Sequence, residues 1–170
     1  ALALHMDVDM IAFTGSGPVG KLLMQYSGQS NLKRVSLELG GKSPQIVFAD
    51  CPDLNAAAVS AAWGVFFNQG EVCTAASRLL VQEEIADEFV EKLLKVAKKI
   101  VPGDPLNPST TFGSMVSEGQ MKTALRYIGT ASGEGNTLRL GGNRVREETG
   151  GFYVEPTVFD AVQPSHTLAK

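Results

Sequence analysis

Ile11-Ala12-Phe13-Thr14-Gly15-Ser16-Gly17-Pro18-Val19-Gly20-Lys21 is the stretch that decides the fold class. Ile11 to Thr14 is a short apolar, β-favouring run stopped by Gly15, and Pro18 opens a helix over Val19 to Tyr26. The glycines match a G-x-G-x-x-G string set between a strand and a helix. Glycines there let the backbone approach a phosphate, and the helix N-terminus favours negative charge. An ordinary tight strand-to-helix turn uses the same residues, and this string alone leaves both readings open.

Working outward, Leu37 and Leu39, then Ile46, Val47 and Phe48, form two short strand-like runs around Gly40-Gly41. Asp53 is an N-cap candidate. Behind it Leu54, Ala58, Ala61, Ala62, Val65 and Phe66 fall on one helical face, with Gly70 as the expected stop. Arg78 to Val81 reads as a strand. Ile85, Phe89, Val90, Leu93, Leu94, Ala97 and Ile100 then make the apolar stripe of a helix that Pro102-Gly103 stops. Its acidic start (Glu83, Glu84, Asp87, Glu88) and basic end (Lys95, Lys98, Lys99) suit the helix dipole. Gln120 to Ile128 looks helical, and Thr137 to Leu140 and Phe152 to Val162 look like strands. Gly141-Gly142 and Thr149-Gly150-Gly151 mark turns. Alternating strands and helices predict an α/β fold built on a parallel sheet.

The 170 residues have room for one domain. A composition of 44% hydrophobic and 19% charged residues predicts a soluble body with a core. The net charge of -3 comes without a basic patch, so no nucleic-acid partner is expected. No apolar run reaches the ~18 residues of a membrane span. Residues 1–7 lack the basic and apolar regions of a signal peptide. The chain starts at Ala1 without an initiator Met, which suits a piece of something longer. Two cysteines, Cys51 and Cys73, are too few for a disulfide scaffold and suit a cytoplasmic protein with free thiols. No metal site is expected.

Two further segments bear on chemistry. In Leu37-Glu38-Leu39-Gly40-Gly41-Lys42-Ser43-Pro44, a lone carboxylate ends a strand beside exposed, flexible backbone. Partial burial among apolar neighbours would raise its pKa toward neutrality, as a base that activates water requires. A surface Glu before a turn is the plain alternative. Glu38 also lies 18 residues after Gly20, near the spacing of about 20 at which dinucleotide folds place a ribose-binding acid; its neighbours speak against that role. In Phe66-Phe67-Asn68-Gln69-Gly70-Glu71-Val72-Cys73-Thr74-Ala75-Ala76-Ser77-Arg78, the cysteine follows a helix-ending glycine and so falls in a loop. If Thr74 begins a short helical turn, its N–H groups favour the thiolate. A buried, inert thiol is the plain alternative, and it is the reading given to Cys51 in Ala49-Asp50-Cys51-Pro52.

Taken together, the glycine turn, the E-L-G-G-K-S-P segment and F-x-N-x-G-E-x-C resemble the aldehyde dehydrogenase superfamily. The likeness extends over essentially the whole chain, through Val101-Pro102-Gly103-Asp104-Pro105 to Glu155-Pro156-Thr157-Val158. It implies an incomplete, Rossmann-like parallel-sheet catalytic domain of that fold. Residues 1–37 would close the cofactor-binding domain, and residues 38–170 would begin the catalytic domain. The implied activity is NAD(P)-dependent oxidation of a small-molecule aldehyde to a carboxylic acid, with Cys73 as nucleophile and Glu38 as general base. NAD or NADP would rest its pyrophosphate on Gly15, Ser16 and Gly20, and Gln120 would approach a cofactor ribose, the plain alternative being a solvated helix residue. The oxyanion asparagine of the family lies upstream of Ala1, and Asn68 is not its substitute. The resemblance further implies a homodimeric or homotetrameric parent, and a chain that by itself binds cofactor weakly and does not turn over.

His5-Met6-Asp7-Val8-Asp9 and the Gly-Glu-Val-Cys core are most similar to bacterial enzymes of γ-glutamylamino or ω-amino aldehydes, with betaine-aldehyde relatives close by. One departure stands out: where the family carries S-T-E-[VI]-G, this chain has Ser16-Gly17-Pro18-Val19-Gly20, with which the turn should still form but its contact with the cofactor pyrophosphate should change. Two other functions share these residues. One is a coenzyme-A-acylating relative, against which Glu38 argues; the other is a non-catalytic module on the same fold.

Overall fold

In the computed structural model, which describes residues 1–170, Met10–Gly15 (β1) and Arg34–Leu39 (β2) pair in parallel, from Met10 opposite Arg34 to Gly15 opposite Leu39. The crossover between them is the helix Gly17–Gly28 (α1). Period-two alternation sets the faces: Val35, Leu37 and Leu39 are half-buried, whereas Arg34, Ser36 and Glu38 are exposed. Gly20 lets α1 approach β2, because a Cβ there would meet the Leu39 and Leu37 methyls at 3.1–3.3 Å. The return turn is tied by polar groups. Buried Lys33 donates to Ser30 Oγ (2.7 Å) and Asn31 Oδ1 (2.8 Å), and Ser27 Oγ donates to the Lys33 carbonyl (2.7 Å). These elements make up one compact unit, Ala1–Gly41; the other is Lys42–Lys170.

The second unit opens with another parallel pair, Pro44–Val47 (β3) against Arg78–Val81 (β4). Between them runs the helix Leu54–Phe66 (α2), and after them Ala86–Ala97 (α3). Asp53 caps α2 as the sequence predicts, its Oδ1 accepting the Asn55 and Ala56 N–H groups at 2.9 and 3.0 Å. Ala58, Ala61, Ala62 and Phe66 of α2 meet Phe89, Leu93 and Ala97 of α3 in the core, with Val47, Ile100 and Phe112. The alanines leave room for the large Phe89, which is fully buried. Glu118–Gly133 (α4) follows, longer than the helix read from Gln120 to Ile128. It packs Met121 with Met115 and Val154 in a smaller cluster. No helix is long and apolar enough to cross a membrane.

Three features add to or depart from the sequence reading. First, beside the expected parallel pairs stand two antiparallel ones: Thr137–Leu140 (β5) pairs with Val158–Asp160 (β8), and Arg144–Val145 (β6) with Tyr153–Val154 (β7). Second, Phe152 to Val162 is not one strand. Between β7 and β8, Pro156 lacks the N–H that a ladder needs. Thr157 Oγ1 donates instead to the Glu155 carbonyl (2.8 Å) and accepts the Gly142 N–H (3.0 Å). Third, α2 stops at Phe66, before Gly70. Asn68 (φ 48°) and Gln69 (φ 57°) are left-handed, which no α-helix tolerates.

Candidate active site

In the first unit, the glycine turn and Glu38 share one end of the parallel pair. Thr14 stands opposite Glu38 in the ladder, so both lie at the carboxyl ends of their strands. That is the edge where open α/β sheets take ligands. Gly15 and Ser16 are exposed, and Gly20 is buried beneath them in the helix–strand packing. Ser16 is the N-cap residue of α1, yet its hydroxyl makes no capping hydrogen bond. Pro18 lacks an N–H, leaving Gly17 and Val19 as the donors next to the cap.

Glu38 is exposed, contrary to the partial burial that the sequence suggested. The apolar neighbours Leu37 and Leu39 point to the opposite face of β2, as strand alternation requires.

In the second unit, Cys73 is exposed and Cys51 half-buried. Cys51 packs, half-buried, against the α2–α3 core. Cys73 sits in a single turn closed by the Ala75 N–H on the Val72 carbonyl at 3.0 Å. The Ala76 N–H then donates to the Gly64 carbonyl of α2 (2.9 Å), and Arg78 Nε to the Lys42 carbonyl (3.0 Å), which fixes the exit into β4. No helix begins at Thr74, so the expected helical donors beside the thiol reduce to this one turn. Val72 and Thr74, on either side of Cys73, line an open depression of about 480 Å³. Trp63 and Phe67 give it an aromatic wall, and Ser43 and Gln45 give it polar groups.

Two residues of this loop escaped the sequence reading. The Glu71 carboxylate accepts the Val116 N–H at 3.1 and 3.3 Å through its two oxygens. Partial burial raises its pKa above the ordinary 4.5, opposed by that N–H. The second is Gln69, whose amide oxygen, turned toward Gly113, accepts the Gly113 N–H at 2.6 Å. No local signal betrays either contact, since the partners lie more than forty residues away in sequence. Asn68 donates Nδ2 to the Glu71 carbonyl at 3.4 Å, a loop-internal role. Gln120 is exposed in the first turn of α4, where its N–H donates to Ser117 Oγ at 3.2 Å. The S-x-x-Q spacing is that of a capping box.

The model of the "Aldehyde dehydrogenase family" matches residues 1–170. The chain belongs to the aldehyde dehydrogenase family. Mouse "Aldehyde dehydrogenase, cytosolic 1" is 49% identical over all of the chain and 33% of its own length. Among solved structures, an indole-3-acetaldehyde dehydrogenase complexed with NAD+ is 54% identical with a TM-score of 0.97, over 99% of this chain and 34% of that one. A γ-glutamyl-γ-aminobutyraldehyde dehydrogenase from Burkholderia cenocepacia is 58% identical with a TM-score of 0.95, over 99% and 34%. The chain thus spans about a third of the length of the aldehyde dehydrogenases it matches. Its α/β fold, with helices around parallel pairs, is the corresponding part of theirs. Within this aldehyde dehydrogenase chain, Glu38 and the glycine turn belong to one compact unit, and Cys73 and Gln120 to the other.

Proposed function

We propose that the whole protein oxidises an aldehyde to a carboxylic acid with a nicotinamide dinucleotide, through a thioester on Cys73. One observation carries the reading: the exposed Cys73 is held in a one-turn loop beside an aromatic-walled depression, whereas the other thiol packs against the core. A thiolate adds to an aldehyde carbon, forming a C–S bond and an oxyanion. The Cys73 N–H takes no part in the turn's closing hydrogen bond and serves as a donor to that oxyanion. A nicotinamide ring, when bound, would supply the acceptor for the hydride that leaves the adduct as it becomes a thioester. Glu38 then takes a proton from water, whose oxygen attacks the thioester carbonyl; the acid leaves and the Cys73 thiolate is restored.

The residues present fit a dinucleotide. Gly15 and the uncapped Ser16 hydroxyl stand at the carboxyl end of β1, and the first N–H groups of α1 follow. Pro18 removes one donor, so the pyrophosphate would rest on fewer backbone groups and more on Ser16. Gly20 acts through the packing that holds this turn, and Gln120 would meet a cofactor ribose. The NAD+ complex of the indole-3-acetaldehyde enzyme supports NAD rather than NADP. The likeness to the Burkholderia enzyme supports a γ-glutamylamino or ω-amino aldehyde as substrate. Free thiols suit the cytoplasm, and the family reading brings a homodimer or homotetramer with it.

Turnover of Cys73→Ser in the whole protein, followed by NADH absorbance, tests the reading. Loss of turnover with Cys51→Ser unaffected is expected; retained turnover in Cys73→Ser overturns it.

A further inference from the structure

The backbone leading to Cys73 is held in an uncommon conformation. Asn68, Gln69 and Gly70 have φ of 48°, 57° and 77° in succession. Non-glycine residues adopt such angles only where their surroundings over-determine them. Part of the support is internal: the Glu71 N–H donates to the Asn68 carbonyl at 3.0 Å. The rest comes from a distant segment, residues 112–117. The Glu71 carboxylate accepts the Val116 N–H, and the Gln69 amide oxygen accepts the Gly113 N–H.

That segment is itself anchored. Phe112 and Met115 are buried in the two hydrophobic clusters. The Phe112 carbonyl accepts the Gly103 N–H (2.9 Å), and the Met115 N–H donates to the Phe152 carbonyl (3.0 Å). The N–H groups that meet the loop alternate with core-facing residues, so the loop docks on a fixed backbone.

Resting on the reading of Cys73 as nucleophile, we propose that Glu71 is a positioning residue. Its carboxylate, helped by Gln69, ties the left-handed loop to residues 113–116 and so fixes the turn that carries Cys73, whose neighbours Val72 and Thr74 line the depression. Glu71 acts by accepting one N–H, a task that an amide oxygen can also perform. Its charge is not what the geometry uses.

Steady-state kinetics of the whole protein test this. Glu71→Ala should lower kcat by about tenfold, since a small misplacement of a reacting group has effects of this order or more. KM should change less than kcat, because most of the depression is lined by α2 and β3 residues outside the loop. Glu71→Gln should restore kcat to within about twofold of the unsubstituted protein. Asp53→Ala, which removes the cap at the far end of α2, serves as a destabilised control and should leave kcat unchanged. The proposal is overturned if Glu71→Ala keeps its kcat, if Glu71→Gln is as impaired as Glu71→Ala, or if Asp53→Ala lowers kcat equally. Should Glu71→Ala fail to fold, Glu71→Asp withdraws the acceptor by one methylene; a lowered kcat supports the proposal and an unchanged one overturns it. Failure of the nucleophile reading looks different, because Cys73→Ser would then retain turnover.

Discussion

The glycine turn at Gly15–Gly20 and the cysteine loop at Asn68–Ala75 both expose backbone to solvent, but they are held in different ways. The turn needs no unusual angles: Gly15, Gly17 and Gly20 are all absent from the positive-φ residues. It is fixed by packing, with Gly20 seated on Leu37 and Leu39. The loop carries three successive positive φ angles and is fixed by side chains that reach a remote segment. A site held by local packing can be read from residue types in order. A site held by tertiary hydrogen bonds cannot, because its partners are far away in sequence.

The proposed roles make the contrast breakable. The largest effect belongs to the loop: Cys73→Ser in the whole protein should lower turnover on the order of 10³-fold or more. Next comes Glu38→Gln, expected to slow steady-state turnover by roughly 10²- to 10⁴-fold while leaving the first hydride transfer intact. An unchanged steady-state rate would remove Glu38 from the mechanism.

Stability should separate the two regions as well. Gly20→Ala forces a methyl against Leu37 and Leu39 and should destabilise by about 1–3 kcal/mol. Gly70→Ala instead meets backbone strain at φ 77°, worth about 1–3 kcal/mol, and should also lower kcat. Equal kcat in these two variants would erase the distinction between packing and bracing. Ser16→Ala should change stability by less than about 0.5 kcal/mol, whereas Asp53→Ala should lose about 1 kcal/mol. Urea midpoints resolve that difference.

Acid gives the smallest effect. Glu134 lies below its ordinary 4.5 because Thr167 hydrogen-bonds its carboxylate through both Oγ1 and N–H. A depressed pKa means stability that is present above 4.5 and lost as pH falls through the folded-state value. Glu71 runs the other way: burial raises it, so its contribution falls as pH rises above 4.5. The difference in melting temperature between Glu134→Gln and the unsubstituted protein should therefore shrink in acid. A difference that grows would contradict the assignment.

The sequence was legible where local rules and burial agree. Asp53 capping α2, the Phe89-Leu93-Ala97-Ile100 stripe and the β1–α1–β2 crossover all follow from spacing and residue type. Reading failed where tertiary partners override it. Pro156 and the Thr157 side chain divide what looked like one strand. Glu38 has apolar neighbours in sequence, but strand alternation turns them to the other face. Asn68 and Gln69 leave the helix before the glycine that was expected to end it. The Glu71–Val116 bond has no sequence signature of its own.

The most direct test is to place the covalent intermediate. The whole protein carrying Glu38→Gln is mixed with NAD and an ω-amino aldehyde, quenched in acid and digested, and its peptides are weighed. The account predicts one acyl group, on the peptide containing Cys73. An adduct on Cys51, or none after a burst of NADH, would contradict it.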